Sequence, residues 1–169
     1  ISFPARFMLI AASNPCPCGY FGDPERECTC TSGQVRKYQN RIGGPLMDRI
    51  DLHIDVRRVA PGQVISPEGG VSSAKLREGV MAGREYASWR RAHEQVEETT
   101  QGLMASCHLD DEDARFFERM AKANSMSGRA IVRTMSVART IADIDQRREV
   151  SRADLCEALS FRVREGVGS

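Results

Sequence analysis

Helical periodicity in the second half of the chain limits its fold more than any other feature of the sequence. In four windows, apolar residues recur at every third or fourth position, the spacing that places them on one face of a helix. The windows are residues 74–91, 110–122, 127–145 and 151–159. Ser151 and Asp154 form a capping-box pattern at the start of the last window. Together these windows predict a small helical bundle, whereas residues 95–106 have no clear period and receive no assignment.

The first part of the chain carries strand signals instead. Residues 7–12 form an unbroken apolar run, as strands covered on both faces do, and residues 50–56 alternate apolar with polar side chains. Residues 34–41, which lie between the two predicted strands, are basic and are predicted to be helical. The predicted fold class is therefore a predominantly α-helical chain, in which an α/β part with two short strands precedes an all-α bundle.

A segment rich in turn formers separates the two parts. Residues 61–73 contain several Pro and Gly residues with few apolar anchors, so they predict a linker or an exposed loop. Two strands do not make a stable sheet without partners, and the chain begins at Ile1 without a methionine. We therefore interpret the sequence as a fragment of a larger protein.

The overall charge excludes a general attraction to polyanions. Lys and Arg together number 24 and Asp and Glu 23, which leaves a formal net charge of +1. Any contact with nucleic acid or membrane must then depend on a local basic cluster. No apolar run approaches the roughly 20 residues of a membrane helix, and no signal peptide opens the sequence. We expect a cytoplasmic protein with no membrane partner.

Four of the six cysteines form two closely spaced pairs. They are Cys16, Cys18, Cys28 and Cys30. Four thiolates complete a tetrahedral zinc site and crosslink a loop that is too small to have its own core, so we predict a structural zinc ion here. Free thiols in a disordered loop, or disulfides formed on oxidation, are the alternatives. Cys107 and Cys156 lie at helical positions away from the pairs and are expected to be small packed side chains.

Asn14 and Arg49 are candidate ligand-binding residues. Asn14 follows the first predicted strand, where α/β proteins place side chains that touch a ligand. Arg49 follows a Gly-Pro turn on a short element, and a guanidinium there can reach a phosphate across a subunit boundary. The alternative for Arg49 is a local salt bridge to Asp48 or Asp51.

Two further groups of basic residues have both a functional and a structural interpretation. Arg129 and Arg133 lie one turn apart, on the side of their helix opposite its apolar stripe, where charges are either solvated or face a ligand. Arg36, Lys37 and Arg41 belong to the basic segment near residue 38. These three cations can contact DNA phosphates, but we favour a solvated helix face or a subunit contact.

Four sequence blocks carry a resemblance to a known family. They are residues 3–7 (FPARF), 14–20 (NPCPCGY), 44–53 (GPLMDRIDLH) and 137–143 (VARTIAD). In this order they resemble the bacterial ComM, or YifB, family of magnesium-chelatase-like proteins within the AAA+ ATPases. The resemblance covers residues 3–162 and implies the end of an ATPase core followed by a helical lid. The implied domains are 1–59 for the core with its Cys-rich loop, 60–73 for a linker and 74–169 for the lid.

The resemblance also implies a role for each candidate residue. Asn14 matches the sensor-1 position, whose amide orients the attacking water. Arg49 matches the arginine finger, which enters the nucleotide site of the neighbouring subunit and stabilises the charge that develops during phosphoryl transfer. Arg129 matches the sensor-2 arginine of the lid, which contacts phosphate, and Arg133 can support it.

For the intact protein, the resemblance implies an ATP-driven hexameric ring that uses Mg²⁺ and moves on DNA as a branch-migration helicase of natural transformation. The sequence has no Gly-x-x-x-x-Gly-Lys-Ser/Thr motif, and in the family the Walker A and Walker B elements lie upstream of the matching blocks. We therefore expect this fragment alone to be inactive as an ATPase. The alternatives are a magnesium chelatase motor subunit, against which the cysteine pairs argue, and a zinc-stabilised binding module.

Overall fold

The computed structural model describes residues 7–56, 59, 61–65 and 70–162 of the chain. The chain divides into two compact units, Ile1–Gly44 and Pro45–Ser169. The described residues form the following helices: α1 Ser32–Gln39, α2 Gly44–Met47, α3 Pro61–Val64, α4 Ser73–Glu94, α5 Thr100–Ser106, α6 Asp111–Ala123, α7 Gly128–Ile144 and α8 Arg152–Ser160. Three predicted features lie outside the described residues. They are the start of the first resemblance block (residues 3–6), the turn formers of residues 66–69 and the end of the lid (residues 163–169).

The four helices predicted from periodicity are confirmed as α4, α6, α7 and α8. Each begins at a side chain that accepts a hydrogen bond from the backbone of its first turn, and the four N-caps are Ser72, Asp110, Ser127 and Ser151. The predicted capping box at α8 is present, because Asp154 also accepts a hydrogen bond from the backbone N–H of Ser151. The basic segment is helical as predicted and forms α1.

Helix α5 lies inside the region that received no assignment. It has only seven residues, begins after the N-cap Thr99 and packs against α7. Its start is tightly folded, because a Cβ atom at Gly102 would lie 2.2 Å from the backbone oxygen of Glu97. The cap is the only local signal for this helix, and a single threonine does not predict one.

The two predicted strands are wrong. Residues 7–12 and 50–56 have no strand assignment, and no described residue forms a sheet ladder with either segment. An apolar run or an alternating pattern indicates which faces a strand can bury, but a strand exists only when a second segment pairs with it. Phe7, Met8 and Ile10 are 75%, 84% and 82% exposed. The described fold is consequently α-helical.

The core of the second unit is organised around α7. Met135, Ala138 and Ala142 on the inner face of α7 are buried, as the apolar stripe predicts, and Leu155 and Leu159 of α8 pack in the same cluster. The α4 helix also packs against α7. This contact is close, because a Cβ atom added to Gly83 would lie 3.0 Å from the Cα atom of Ile144.

A buried ionic cluster also joins α4 to α7. Arg90 donates two hydrogen bonds to the Asp143 carboxylate, at 2.8 and 3.1 Å, and Arg139 lies 3.1 Å from the same carboxylate. All three residues are at least 95% buried. Arg139 also donates to the backbone oxygens of Ser106 and Arg148, so this cluster fixes the end of α5 and the turn after α7.

The outer face of α4 carries a row of rings. Tyr86 and Trp89 have centroids 5.6 Å apart, and Trp89 and His93 have centroids 4.4 Å apart. Trp89 is 52% exposed, and the His93 ring bonds the backbone oxygen of Trp89 at 2.9 Å. In the described part of the chain, no helix is both long enough and apolar enough to cross a lipid bilayer.

Candidate functional sites

The structure brings the four predicted cysteines of the first unit together. The Sγ atom of Cys16 lies 3.3 Å from that of Cys18 and 3.7 Å from that of Cys28, and the Cys18 and Cys28 sulphurs are 3.5 Å apart. With Cys30 included, all four Sγ atoms lie within 4.8 Å of one another. We call this group the cysteine cluster. Cys16 is fully buried and the other three residues are half-buried.

The loop backbone turns back sharply to build the cysteine cluster. The Gly19 N–H donates to the backbone oxygen of Cys16, and both Gly19 and Gly22 have positive φ angles of +85° and +81°. This left-handed conformation favours glycine over other residues. The Asp23 side chain continues the turn by accepting hydrogen bonds from the backbone N–H groups of Glu25 and Arg26. The two cysteine pairs consequently meet without any secondary structure between them.

The thiols of the cysteine cluster differ widely in pKa. The backbone N–H of Tyr20 lowers the pKa of Cys18 to about 5. At Cys28 a backbone N–H of Cys30 favours the thiolate, but desolvation and the two neighbouring thiols raise its pKa to about 12. The pKa values separate because negative charges at contact distance repel each other. A divalent cation at the centre would remove this repulsion and stabilise four thiolates.

The spacing of the sulphur atoms fits a metal better than a disulfide. A tetrahedral zinc ion with Zn–S bonds of about 2.3 Å separates its sulphur ligands by about 3.8 Å, and the three measured separations are 3.3 to 3.7 Å. A disulfide requires about 2.05 Å, and all six cysteines are free. Cys107 is buried in the helical core, as predicted for a packed side chain, whereas Cys156 is exposed, so that part of the prediction is wrong.

The second unit contains an arginine cluster around residues 48–51. Asp48 accepts hydrogen bonds from the Ser127 hydroxyl at 3.1 and 3.2 Å, and its carboxylate lies 3.6 Å from Arg129. Asp51 accepts a hydrogen bond from Arg133. Two carboxylates of one short segment thus hold the N-cap and both predicted arginines at the start of α7. These two arginines occupy neighbouring turns on the side of α7 that faces away from its buried stripe.

Arg49 lies between these two carboxylates in sequence but pairs with neither. Its guanidinium donates to the backbone oxygen of Pro45, and within the described residues it forms no ion pair. The local salt bridge that the sequence offered as an alternative is therefore absent from this structure. The Arg49 side chain is exposed, because the nearby carboxylates are already engaged by arginines from another helix.

Further contacts fix the backbone that carries Arg49. Arg162 donates to the backbone oxygen of Ile50 at 2.9 Å, and the backbone N–H of His53 donates to the oxygen of Phe161 at 2.9 Å. Partial burial of the Arg162 guanidinium lowers its pKa despite the attraction of the nearby carboxylates of Asp48 and Asp51. The segment before His53 is thus tied both to the start of α7 and to the end of α8.

An open groove gives a ligand access to the arginine cluster. It has a volume of about 780 Å³, and its lining includes Arg129, Arg133 and Asp51 together with apolar residues of α5 and α7. This volume lies in the range of small-molecule sites. Arg129 has 50% of its side chain exposed and Arg133 has 33%, so an anion can approach both without unfolding of the bundle.

Asn14 belongs to the first unit and is described separately. It lies two residues before Cys16, in a segment that has neither helix nor strand, and is exposed. The sequence missed the pairing of Asp48 and Asp51 with α7 and the contact from Arg162. Because these pairs join residues about 80 or more positions apart, no local spacing could have indicated them.

Two family models match the chain. The model described as magnesium chelatase, subunit ChlI C-terminal, matches residues 70–162, which is more than half of the chain. The model described as magnesium chelatase, subunit ChlI, matches residues 1–64. The chain therefore belongs to the magnesium chelatase subunit ChlI family.

Individual relatives agree with this assignment and confirm the resemblance seen in the sequence blocks. The chain is 39% identical over 167 residues to protein YifB of Escherichia coli K12 and 35% identical over 164 residues to competence protein ComM of Haemophilus influenzae. Each match covers 96% of this chain and 32% of the relative. Protein Mb2921c of Mycobacterium bovis is 32% identical, over 95% of this chain and 32% of its own length. The chain thus spans about a third of the length of these relatives.

Proposed function

We propose that this chain is the arginine-bearing part of an ATP-driven AAA+ ring motor that acts on DNA. The family supports the ATPase class, and one observation supports the use of the arginines. Asp48, which precedes Arg49, contacts both the N-cap and Arg129 of α7. In the second unit, Asp48 thus links the segment that carries the predicted arginine finger to the start of α7, which carries the predicted sensor-2 arginine.

In this proposal each residue acts on a phosphate of bound ATP. ATP with Mg²⁺ supplies the phosphoryl group and the charge that bridges its oxygens. The Asn14 amide orients the attacking water in its own subunit. Arg49, which is exposed and free of ion pairs among the described residues, enters the site of the neighbouring subunit and stabilises developing negative charge. Arg129 and Arg133 bind phosphate oxygens through the open groove.

Asp48 and Asp51 act as positioning residues in this proposal. Their carboxylates hold the guanidiniums of Arg129 and Arg133 in place while no phosphate is bound. Both pairs are partly exposed, and such pairs contribute only about 0.2–1 kcal/mol. A phosphate can therefore displace the carboxylates at small cost.

DNA is the proposed substrate, and a hexameric ring the proposed assembly. The Haemophilus influenzae relative is a competence protein, which favours a role in processing incoming DNA, and branch migration during transformation is the activity we propose. The second candidate is an ATPase that serves magnesium insertion, which the description of the matching family models favours. The two differ in whether DNA stimulates ATP hydrolysis.

The cysteine cluster has a structural role in this proposal. Four protein sulphurs fill the coordination of a zinc ion and leave no position for a substrate. Its separations fit that ion, and the loop around it has few other means of holding its shape. Zinc would therefore crosslink the first unit without taking part in ATP hydrolysis.

A mixing experiment with the full-length gene product tests the arrangement of the site. Arg49→Ala and Asn14→Ala are expected to abolish ATP hydrolysis separately. Mixed in equal amounts, they should recover about a quarter of the wild-type rate, because half of the sites keep Asn14 and half of their neighbours supply Arg49. The measurement is steady-state ATPase activity after the variants have been allowed to exchange subunits.

Two further mixtures complete the design. Arg49→Ala mixed with Arg129→Ala should recover no activity, because Asp48 links the two arginines within one subunit and both would serve the same neighbouring site. Arg84→Ala, which removes an exposed arginine of α4, is the matched control and should keep full activity alone. An inactive mixture of Arg49→Ala and Asn14→Ala, with both variants assembled into rings, contradicts action across the subunit boundary.

A further inference from the structure

Helix α1 exposes a basic face in the first unit. Val35 is the one buried residue of this helix. At about 100° per residue, Lys37 falls on the side of α1 opposite Val35 and Arg36 lies beside it, and Arg41 follows the C-cap Asn40. All three are exposed. We call Arg36, Lys37 and Arg41 the α1 basic face.

Among the described residues, no carboxylate forms an ion pair with the α1 basic face. The sequence contains no acidic residue between Glu27 and Asp48, and none of the three cations forms an ion pair with any other described residue. Arg41 lies over the Tyr38 ring, with its guanidinium carbon 5.7 Å from the ring centroid. Three positive charges therefore face solvent, and one of them is already partly ordered by an aromatic ring.

The cysteine cluster fixes this helix in place. Thr31, which directly follows Cys30, is the N-cap of α1 and forms a full capping box with Gln34. At the other end of the helix, the Gln39 amide donates to the backbone oxygen of Pro15 at 3.1 Å, next to Cys16. Both ends of α1 are thus anchored to the loop that holds the four sulphurs, so the cations are presented on a preformed support.

The composition of this surface fits a phosphodiester backbone better than a protein partner. Cores of protein interfaces are depleted in charge, and in lysine above all, and depend on apolar or aromatic anchors. Helix α1 has no exposed apolar residue, since its one aliphatic side chain is buried. Its exposed side chains are cations beside amides such as Gln34 and Asn40, which are the groups that contact phosphate and sugar.

We propose that the α1 basic face binds the phosphate backbone of duplex DNA, with the cysteine cluster as its support. This inference rests on the proposed DNA motor function and assigns the surface through which the first unit binds the duplex. Binding through phosphates is independent of base sequence and depends steeply on salt. It lets a motor keep contact with DNA of any sequence while it moves.

Charge removal on the 169-residue chain, loaded with Zn²⁺, tests this proposal. The variant Arg36→Gln/Lys37→Gln/Arg41→Gln keeps polar side chains of similar length and removes three charges. Binding of a fluorescently labelled DNA duplex is measured by anisotropy over a series of salt concentrations. The slope of log affinity against log salt is negative, and its magnitude should decrease by about 2.7. The loss of affinity between 50 and 200 mM salt should therefore be about 40-fold smaller for the variant than for the wild type.

The matched control removes three charges from another exposed helix. Arg77→Gln/Arg84→Gln/Arg91→Gln makes the same change in net charge on α4 and should leave the slope unchanged. The single variant Lys37→Gln should decrease the magnitude of the slope by about 0.9. Circular dichroism checks that each variant keeps its helix content.

The other outcomes overturn the proposal in distinguishable ways. An unchanged slope in the α1 triple variant excludes this face while the motor proposal stands. An equal loss in the α4 control means that only net charge acts, which also excludes the face. A changed oligomeric state without a change in DNA binding assigns the face to a second copy of the chain. A wild-type chain that binds no duplex excludes it as well, and the ATPase mixing experiment then decides the motor function separately.

Discussion

The two compact units of this chain differ in the interactions that stabilise each of them internally. In the second unit, a cluster of buried apolar side chains around α7 joins four helices. In the first unit, Cys16 and Val35 are the buried apolar residues among those described, and four sulphurs converge where a core would otherwise be. One unit is stabilised by apolar area removed from water. The other has few buried apolar residues among those described, so we expect it to depend on a crosslink through the four sulphurs.

This difference predicts opposite responses to metal removal and to core mutation. The stability of the first unit should depend almost entirely on a cation bound at the cysteine cluster, whereas the stability of the second unit should not respond to that cation. The second unit should lose more stability when the substituted side chain is buried than when it is exposed. The three predictions that follow test the comparison in order of expected effect.

The largest effect is expected from loss of the metal. Elemental analysis of the purified chain should find one zinc ion, and Cys16→Ser or Cys28→Ser should remove it. Structural zinc sites contribute apparent free energies of about 10–16 kcal/mol to small domains, so residues 7–44 should become protease-sensitive while the second unit stays resistant. Cys156→Ser, which alters an exposed cysteine of α8, is the control. A metal-free chain whose first unit resists proteolysis equally well would end this interpretation of the cysteine cluster.

A smaller but still large effect is expected in the buried ionic cluster. Asp143→Asn leaves the guanidiniums of Arg90 and Arg139 buried without their shared carboxylate. Removing one partner of a buried pair costs about 3–5 kcal/mol, and the chemical denaturation midpoint of the second unit should fall accordingly. Asp145→Asn, two residues away, alters a carboxylate that is 58% exposed and should cost less than about 1 kcal/mol. Equal effects of the two variants would show that burial does not set the cost.

The smallest effect is expected at the start of α8 and depends on pH. Burial alone would raise the pKa of Asp154, but hydrogen bonds from Arg147 and Ser151 outweigh it and hold the pKa below its ordinary value. A carboxyl group whose pKa is lowered by folding contributes stability above its unfolded pKa, about 3.9, and loses it as the pH falls through the folded value. Because its partner Arg147 is 37% exposed, Asp154→Asn should cost less than Asp143→Asn, about 1.5–3 kcal/mol near neutral pH.

The pH series distinguishes this electrostatic role from a packing role. The difference in unfolding free energy between wild type and Asp154→Asn should shrink as the pH falls below about 4. Glu157→Gln removes an exposed carboxyl group of the same helix and is the matched control. A difference that stays constant down to the acid limit means that the charge of Asp154 contributes nothing.

The sequence predicted those parts of the molecule that depend on neighbouring residues. Periodicity and caps found α4, α6, α7 and α8 because the helical hydrogen bond and the N-cap both act within four residues. The spacing of Cys16, Cys18, Cys28 and Cys30 also indicated a convergent group, and the structure places their sulphurs together. In each case, the deciding contacts are local or lie within one loop.

Contacts between distant segments could not be predicted in the same way. The strand patterns failed because pairing depends on a second segment, and helix α5 was missed because it is short. Around Arg49, the sequence suggested a pair with Asp48 or Asp51, yet both acids bind residues of α7 instead. Residues close in sequence compete with residues brought near by the fold for the same ion-pair partner. Sequence spacing alone does not indicate which of the two pairs forms.

The row of rings on α4 allows the unfolding of the two units to be followed separately by optical spectroscopy. Trp89 is the single tryptophan of the chain, it lies in the second unit, and it stacks between Tyr86 and His93. Its emission therefore reports melting of the bundle alone, because unwinding α4 separates the three rings. Absorbance of thiolate-to-metal charge transfer, with cobalt in place of zinc, would report the cysteine loop. One sample can thus give two independent unfolding curves.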